Sequence, residues 1–212
     1  MSSKNVLNHF EKIDSEEKAY WLGFLYADGS VSSSRNVIEL CLAEKDYQHM
    51  VKFKNFIGLD NKIGYRETSK AYRYSFHSDK MKEDLINLGC VPKKSLILEY
   101  PTTKQVPKNL IRHFIRGYFD GDGWFSNTDS TFQVGLIGTQ AFIEGFLKDA
   151  EPYINTNLKI HIVHREGGAK RYMFSGLQDV TNFLNWIYKD STIYLDRKYE
   201  SYQVFLKEGR KK

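Results

Sequence analysis

Apolar and polar positions along this chain fall into an order that occurs twice. Over 15–28 and again over 107–122 the spacing is helical. Both runs close on a small residue, Asp and Gly: Trp21-Leu-Gly-Phe-Leu-Tyr-Ala-Asp28-Gly29 and Ile115-Arg-Gly-Tyr-Phe-Asp-Gly-Asp122-Gly123, 94 residues apart. Asp14, with Glu17 three residues on, reads as the cap of the first helix, and Pro107 suits the first turn of the second.

The segments after each motif run also repeat. Ile38, Leu40 and Leu42 alternate with Glu39 and Cys41, which predicts a half-buried strand over 37–43, paired as a hairpin with the polar segment before it. Helical spacing returns over 45–57. Two strands are expected at 62–68 and 72–78, the second with Tyr72, Tyr74 and Phe76 on one face and Arg73, Ser75 and His77 on the other. A short helix over 80–88, an extended segment over 91–101 and a proline-bounded linker over 101–107 complete the first half. The second half offers a strand at 131–137, a helix at 139–150, a strand at 158–165, a turn at Gly167-Gly168, a strand at 171–175 and a helix at 177–188. Tyr194 to Tyr199 stands in the place of 91–95. The expectation is an α+β fold made of a duplicated αββαββα unit, residues 1–101 and 102–212, joined as one pseudo-twofold body.

Small residues indicate how the halves meet. Ala19, Gly23 and Ala27 recur every fourth residue, as do Gly117 and Gly121, so each motif helix carries a stripe where another backbone can come close. Stripe-to-stripe packing brings Asp28 and Asp122 out side by side at two negative helix ends, where two carboxylates repel unless a cation joins them. The plainer reading is that Asp-Gly ends a helix, with glycine in the left-handed position.

With 212 residues, 41% hydrophobic and 15% aromatic, the chain can bury a core without staples; Cys41 and Cys90 offer no disulfide framework and point to a reducing, cytoplasmic setting. No apolar run approaches a membrane span, and the first residues do not read as a signal peptide. The net charge of +5 favours a polyanionic partner. The six histidines show no metal-ligand spacing, and neither a nucleophile elbow nor a phosphate-cradling glycine loop is present.

The paired motifs and the order of elements resemble the LAGLIDADG homing endonucleases, in the monomeric two-motif form, over residues 15–205. Tyr26 stands where an acid is frequent in that family, and Trp21 and Arg116 depart from the name motif. The resemblance implies two antiparallel sheets forming a DNA-binding saddle around two central packed helices, with Gly23, Ala27, Gly117 and Gly121 at the helix interface. It implies a divalent-metal-dependent endonuclease cutting double-stranded DNA. Asp28, Asp122 and the carbonyls of Ala27 and Gly121 would hold Mg²⁺ or Mn²⁺, and Lys94 and Lys198 would assist, with Lys93 and Arg197 as neighbours able to take that role. Strand alternation then nominates Arg35, Asn36, Glu39, Arg66, Arg73, Ser75 and His77 for DNA contact, with Asn127, Ser130, Gln133, Lys159, His161, Arg165 and Arg171 in the second half. Its ends, Met1 and Arg-Lys-Lys, fit a free-standing or intron-encoded enzyme better than a self-splicing element. A DNA-binding regulator or RNA splicing cofactor on the same fold, without cleavage, is the alternative.

Overall fold

The structure, a computed structural model, describes residues 8–127, 132–155 and 170–208. In chain order these form α1 (Glu16–Asp28), β1 (Gly29–Val31), β2 (Val37–Ala43), α2 (Tyr47–Ile57), β3 (Gly64–Arg66), β4 (Ala71–His77) and α3 (Asp79–Asn87). They continue with α4 (Ile111–Asp122), β5 (Gly123–Asn127), β6 (Phe132–Gly138), α5 (Gln140–Ala150), β7 (Lys170–Ser175), α6 (Leu177–Tyr188) and α7 (Asp196–Glu208). The duplicated α+β fold is present. One antiparallel sheet has the order β1-β2-β4-β3, the other β5-β6-β7. The strand expected at 158–165 and the turn at Gly167-Gly168 lie outside the described residues.

Register follows the alternation in the sequence. Leu40 lies opposite Tyr74 and Ile38 opposite Phe76, all buried, while Glu39 opposite Ser75 and Cys41 opposite Arg73 point the other way. In the second sheet Val134 and Phe174, and Leu136 and Tyr172, face the core, leaving Gln133, Ile137 and Arg171 outward. Phe53 of α2 packs edge-on against Tyr74, and Phe183 of α6 does the same against Phe174, so each sheet is backed by helices on its inner face.

α1 and α4 cross at the centre, and glycine is what lets them. A Cβ on Gly23 would collide with the carbonyl oxygen of Phe114, and one on Gly117 with that of Tyr20. Gly23 and Gly117, Tyr20 and Phe114, and Phe24 and Tyr118 are all 94 residues apart, so matching residues of the two motif helices make the same contact reciprocally. Backbone approaches backbone here with no side chain between.

Several local expectations are corrected. Ser15, not Asp14, caps α1 by accepting from the Lys18 amide, while Asp14 pairs with the Lys18 ammonium at 2.9 Å. Pro107 opens a 3-10 turn over Lys108–Leu110, and α4 begins only at Ile111. β3 keeps three residues because a 3-10 turn at Glu67–Ser69 interrupts it. The segment expected to be extended from 91 is instead turned at 92–93, with Lys93 left-handed, and enters a 3-10 turn at Lys94–Leu96; in the matching place Tyr194 to Tyr199 enters α7, a 13-residue helix. Tyr202 and Phe205, one turn apart, are buried and hold α7 against the core.

α4 is an apolar helix with two charged side chains inside it. Arg116 is fully buried; its guanidinium donates to the carbonyls of Ile193 (2.8 Å) and Ile187 (2.7 Å) and to Glu16 at the start of α1 (2.7 Å). One turn on, Asp120 accepts from Tyr20 Oη (2.7 Å), Tyr188 Oη (2.5 Å) and the Leu195 amide (2.7 Å). These bonds compensate burial of the charges. They also fix the chain on both sides of the turn that leads into α7.

Candidate active site and outward sheet faces

Both motif helices pass directly into strands. Gly29 (φ −75°) and Gly123 (φ −91°) are extended, so the left-handed reading of the Asp-Gly pair does not hold; space is the constraint, since a Cβ at either position would press on Leu25 or Phe119. The direct passage leaves Asp28 and Asp122 as the last helical residues, at adjoining ends of the crossed pair. A Cβ on Gly121 would stand 3.1 Å from Asp28 Oδ2, which measures how closely the two ends approach.

Electrostatics records the same meeting. Asp28 is exposed on one side to solvent, with protein around the rest of it. That surrounding mass, and then the Asp122 carboxylate, push its pKa up to about 6 against the opposing pull of Lys198 and Lys94. Because water reaches Asp28, the energetic weight of this shift is modest. Asp122 lines a small cleft of ≈ 220 Å³ together with Lys94, Ala27 and Tyr26, so residues of both halves share one cavity.

The two lysines sit at matching places. Lys94 Nζ donates to the Gly29 carbonyl, and Lys198 Nζ to the Gly123 carbonyl at 2.6 Å and to that of Phe119 at 2.5 Å. Each ammonium is therefore fastened next to the last carboxylate of its own half. Burial lowers the Lys198 pKa to about 8, with the Asp120 carboxylate acting against that fall. Their neighbours are elsewhere: Arg197 is held by both oxygens of Asp46 (2.8 and 3.1 Å), and Lys93 lines a groove on the first sheet.

Asp28 and Asp122, with the carbonyls of Ala27 and Gly121, would offer a cation oxygen donors only. Among the described residues no group of three or more His, Cys, Asp or Glu side chains gathers as a metal cluster. Such a sparse set suits a hard cation that completes its shell with water and phosphate oxygens, and does not suit zinc.

The outward sheet faces carry several of the nominated residues. Arg35, Glu39 and Arg73 line a groove of ≈ 360 Å³ with Lys93, and Arg73 is paired with Glu39. Asn36, Arg66 and His77 are exposed, Arg66 sharing the Arg73 face by register; Ser75 is half-buried beside Glu39. On the second sheet Gln133 and Arg171 point outward, half-buried. The backbone of Asn127 pairs with Phe132 at the sheet edge, and Ser130, Lys159, His161 and Arg165 lie outside the described residues.

Sequence reasoning missed Trp124. It lies across Gly135, whose missing side chain makes room for the indole, and the Arg171 guanidinium sits 4.8 Å from the ring centroid. The signal was the alternation of Trp124 with the inward Phe125 directly after the second motif. Arg116 and Asp120 were missed as a pair although two opposite charges four residues apart within an apolar helix must find partners inside.

No family model matches the chain. A curated relative, the probable translation initiation factor IF-2 of Methanocaldococcus jannaschii, is 26% identical over 138 residues, which is 59% of this chain and 11% of that protein. Among solved structures, the LAGLIDADG homing endonuclease I-GzeII in complex with its DNA target superimposes with a TM-score of 0.60, at 12% identity, over 91% of this chain and 89% of that one. I-LtrWI, a LAGLIDADG homing endonuclease bound to target DNA, gives 0.59 at 12% identity, over 93% and 92%. The chain has the LAGLIDADG homing endonuclease fold.

Proposed function

We propose that the protein is a site-specific endonuclease that cuts both strands of double-stranded DNA at a long target, with a divalent metal, Mg²⁺ or Mn²⁺, as cofactor. The observation that carries this reading is the meeting of Asp28 and Asp122 at adjoining helix ends, each with a lysine fastened beside it. A protein that only bound DNA would gain nothing from two facing carboxylates, whose repulsion costs stability until a cation relieves it.

In this reading Asp28, Asp122 and the carbonyls of Ala27 and Gly121 hold the metal, which supplies neutralisation of phosphate charge and eases ionisation of water. The chain's own groups do the rest. Lys198, with its pKa near 8, is poised to take or return a proton near neutrality, or to hold a phosphate oxygen as charge builds on it. Lys94 serves the other strand. The outward faces of the two sheets grip the duplex on either side, Arg35, Arg66, Arg73 and Lys93 from one and Gln133 and Arg171 from the other, with arginines suited to guanine edges and to phosphate. One chain suffices, since it supplies both halves of the site.

The test is a library of long duplexes incubated with the protein and Mg²⁺, Ca²⁺ or chelator. Cutting of both strands at one site in Mg²⁺ alone is expected. Asp28→Asn and Asp122→Asn should each slow cutting by about 100-fold or more while duplex affinity is kept. Normal cutting by either variant would defeat the carboxylate assignment, and tight specific binding without cutting under any metal would make the protein a regulator.

A further inference from the structure

A second concavity lies far from the carboxylates. It is a cleft of ≈ 730 Å³ at the N-terminal end of α4, lined by Arg112 and Lys108 from that end, Lys148 from α5, Lys189 after α6, and the rings of Tyr153 and Trp186. Ten residues of helix separate Arg112 from Asp122, about 15 Å along the axis. The cleft also belongs to the other side of the molecule: α5 and α6 back the inner face of the second sheet through Phe146, Tyr172, Phe174 and Phe183, and the cleft opens on these helices.

Its chemistry is specific. Four cations converge on one hollow, and among the described residues none of them forms a salt bridge; the Asp149 carboxylate at the rim instead accepts from the Tyr100 hydroxyl at 2.8 Å. Like charges gathered around a concavity raise its potential and are relieved by an anion. One wall is flat and aromatic: Tyr153 and Trp186 stack with centroids 4.3 Å apart and planes 13° from parallel. An anion that also has a planar ring satisfies both features, and the volume exceeds what a lone phosphate fills. Paired bases in a duplex have their faces covered by their neighbours, so only unpaired bases can extend the Tyr153–Trp186 stack.

We infer that this cleft binds an unpaired stretch of nucleic acid, phosphates on the four cations and a base against the aromatic wall, at a site separate from the duplex-binding faces. The inference does not need the cutting reaction. Short labelled single strands, in an RNA arm and a DNA arm, are titrated against the full chain in chelator, with duplex affinity measured in parallel. Lys148→Glu with Lys189→Glu, both exposed positions, should weaken single-strand binding at least tenfold and flatten its salt dependence, with duplex affinity unchanged. Tyr153→Leu should weaken it with little change in salt slope. A stronger RNA arm or a stronger DNA arm identifies the natural strand, and equal arms mean that only phosphate and base are read; each supports the site. Absence of single-strand binding, equal affinity in the charge-reversed protein, or displacement of the single strand by duplex would overturn it. If the protein bound no duplex yet kept cleft-dependent single-strand affinity, the reading of the sheets would fall and this one would stand.

Discussion

The two halves place different side chains, Cys90 and Lys198, on one matched carbonyl of their motif helices. The Leu25 carbonyl of α1, which takes the Gly29 amide, also accepts from the Cys90 thiol at 3.5 Å; its counterpart 94 residues on, that of Phe119, takes the Gly123 amide and accepts from the Lys198 ammonium. In the first half the lysine, Lys94, reaches only the glycine carbonyl and stays half-buried; in the second it is drawn in and nine-tenths buried. The same asymmetry runs outward. Tyr26 donates to the Leu88 carbonyl where Asp120 accepts three bonds, and Leu22 fills apolar space where Arg116 ties α1 to the chain before α7. The helix crossing is made by matching residues of the two halves, and the chemistry around it is not matched: the second half has a buried polar frame, and α7 with it.

Removing that frame should have the largest effect. Arg116→Leu gives the second helix the residue of the first, yet strips two buried carbonyls of their side-chain donor and Glu16 of its guanidinium partner, leaving it the Thr192 amide; a loss of about 3–5 kcal/mol in urea unfolding is expected. Leu22 needs no such partner, so a loss below about 1 kcal/mol would erase the contrast. The centre should behave the opposite way. Gly23→Ala and Gly117→Ala should each cost about 3 kcal/mol, and by nearly the same amount, because each drives a methyl group into a carbonyl of the facing helix. Clearly unequal costs would show that the axis is less symmetric than its contacts.

Substitutions of the lysines should rank next. Lys198→Met should slow cutting by about 100-fold and Lys94→Met by less, which strand-specific labelling would register as nicked intermediates of opposite polarity. Equal effects on both strands would remove the functional side of the asymmetry. On the sheets, Trp124→Leu should weaken duplex binding by about tenfold and relax base preference at one position of one half-site, since Arg171 loses the ring that orients it. Arg73 leans on Glu39 instead, and Glu39→Gln should be milder.

The smallest contrast depends on pH. His49 is buried in the first half, with Ile143 at the matching place in the second. Burial, and then Lys52, lower its pKa to about 3, so the folded protein keeps it neutral while the unfolded chain protonates it near 6.5. The unfolded state thus binds more protons in that window, and stability present above pH 6.5 is lost as pH falls toward 3. Replacing it by leucine should reduce the loss between pH 7 and pH 5 by about 2 kcal/mol. His113, lowered to about 4 chiefly by burial, titrates in the same sense and should leave a residual slope.

Legibility in the sequence followed the same division. β2 was readable to the residue because alternation over seven positions admits one register. The helix crossing was readable because only small residues permit it. α7 was not: matching Tyr194–Tyr199 to 91–95, a segment that reads as extended but is a turn, imposed likeness where the halves differ, and its sparse apolar positions gave a weak counter-signal. The turn over Glu67–Ser69 and the cap at Ser15 depend on which of several polar neighbours takes a bond, and composition does not rank them. Asp28 and Asp122 were placed by repeat alone. What the repeat could not convey was that Lys94 and Lys198, though matched in position, sit in different dielectrics.

The crossing of α1 and α4 has a consequence for inheritance. Its closest contacts are made by carbonyls and amides that every sequence possesses, so the joint asks of each half little more than a glycine in the right place. A substitution on one sheet need not be answered by a change on the other. Under the proposed reading of the sheets as the duplex grip, each half can therefore drift toward a new sequence at its own pace, while the joint between them stays as it was.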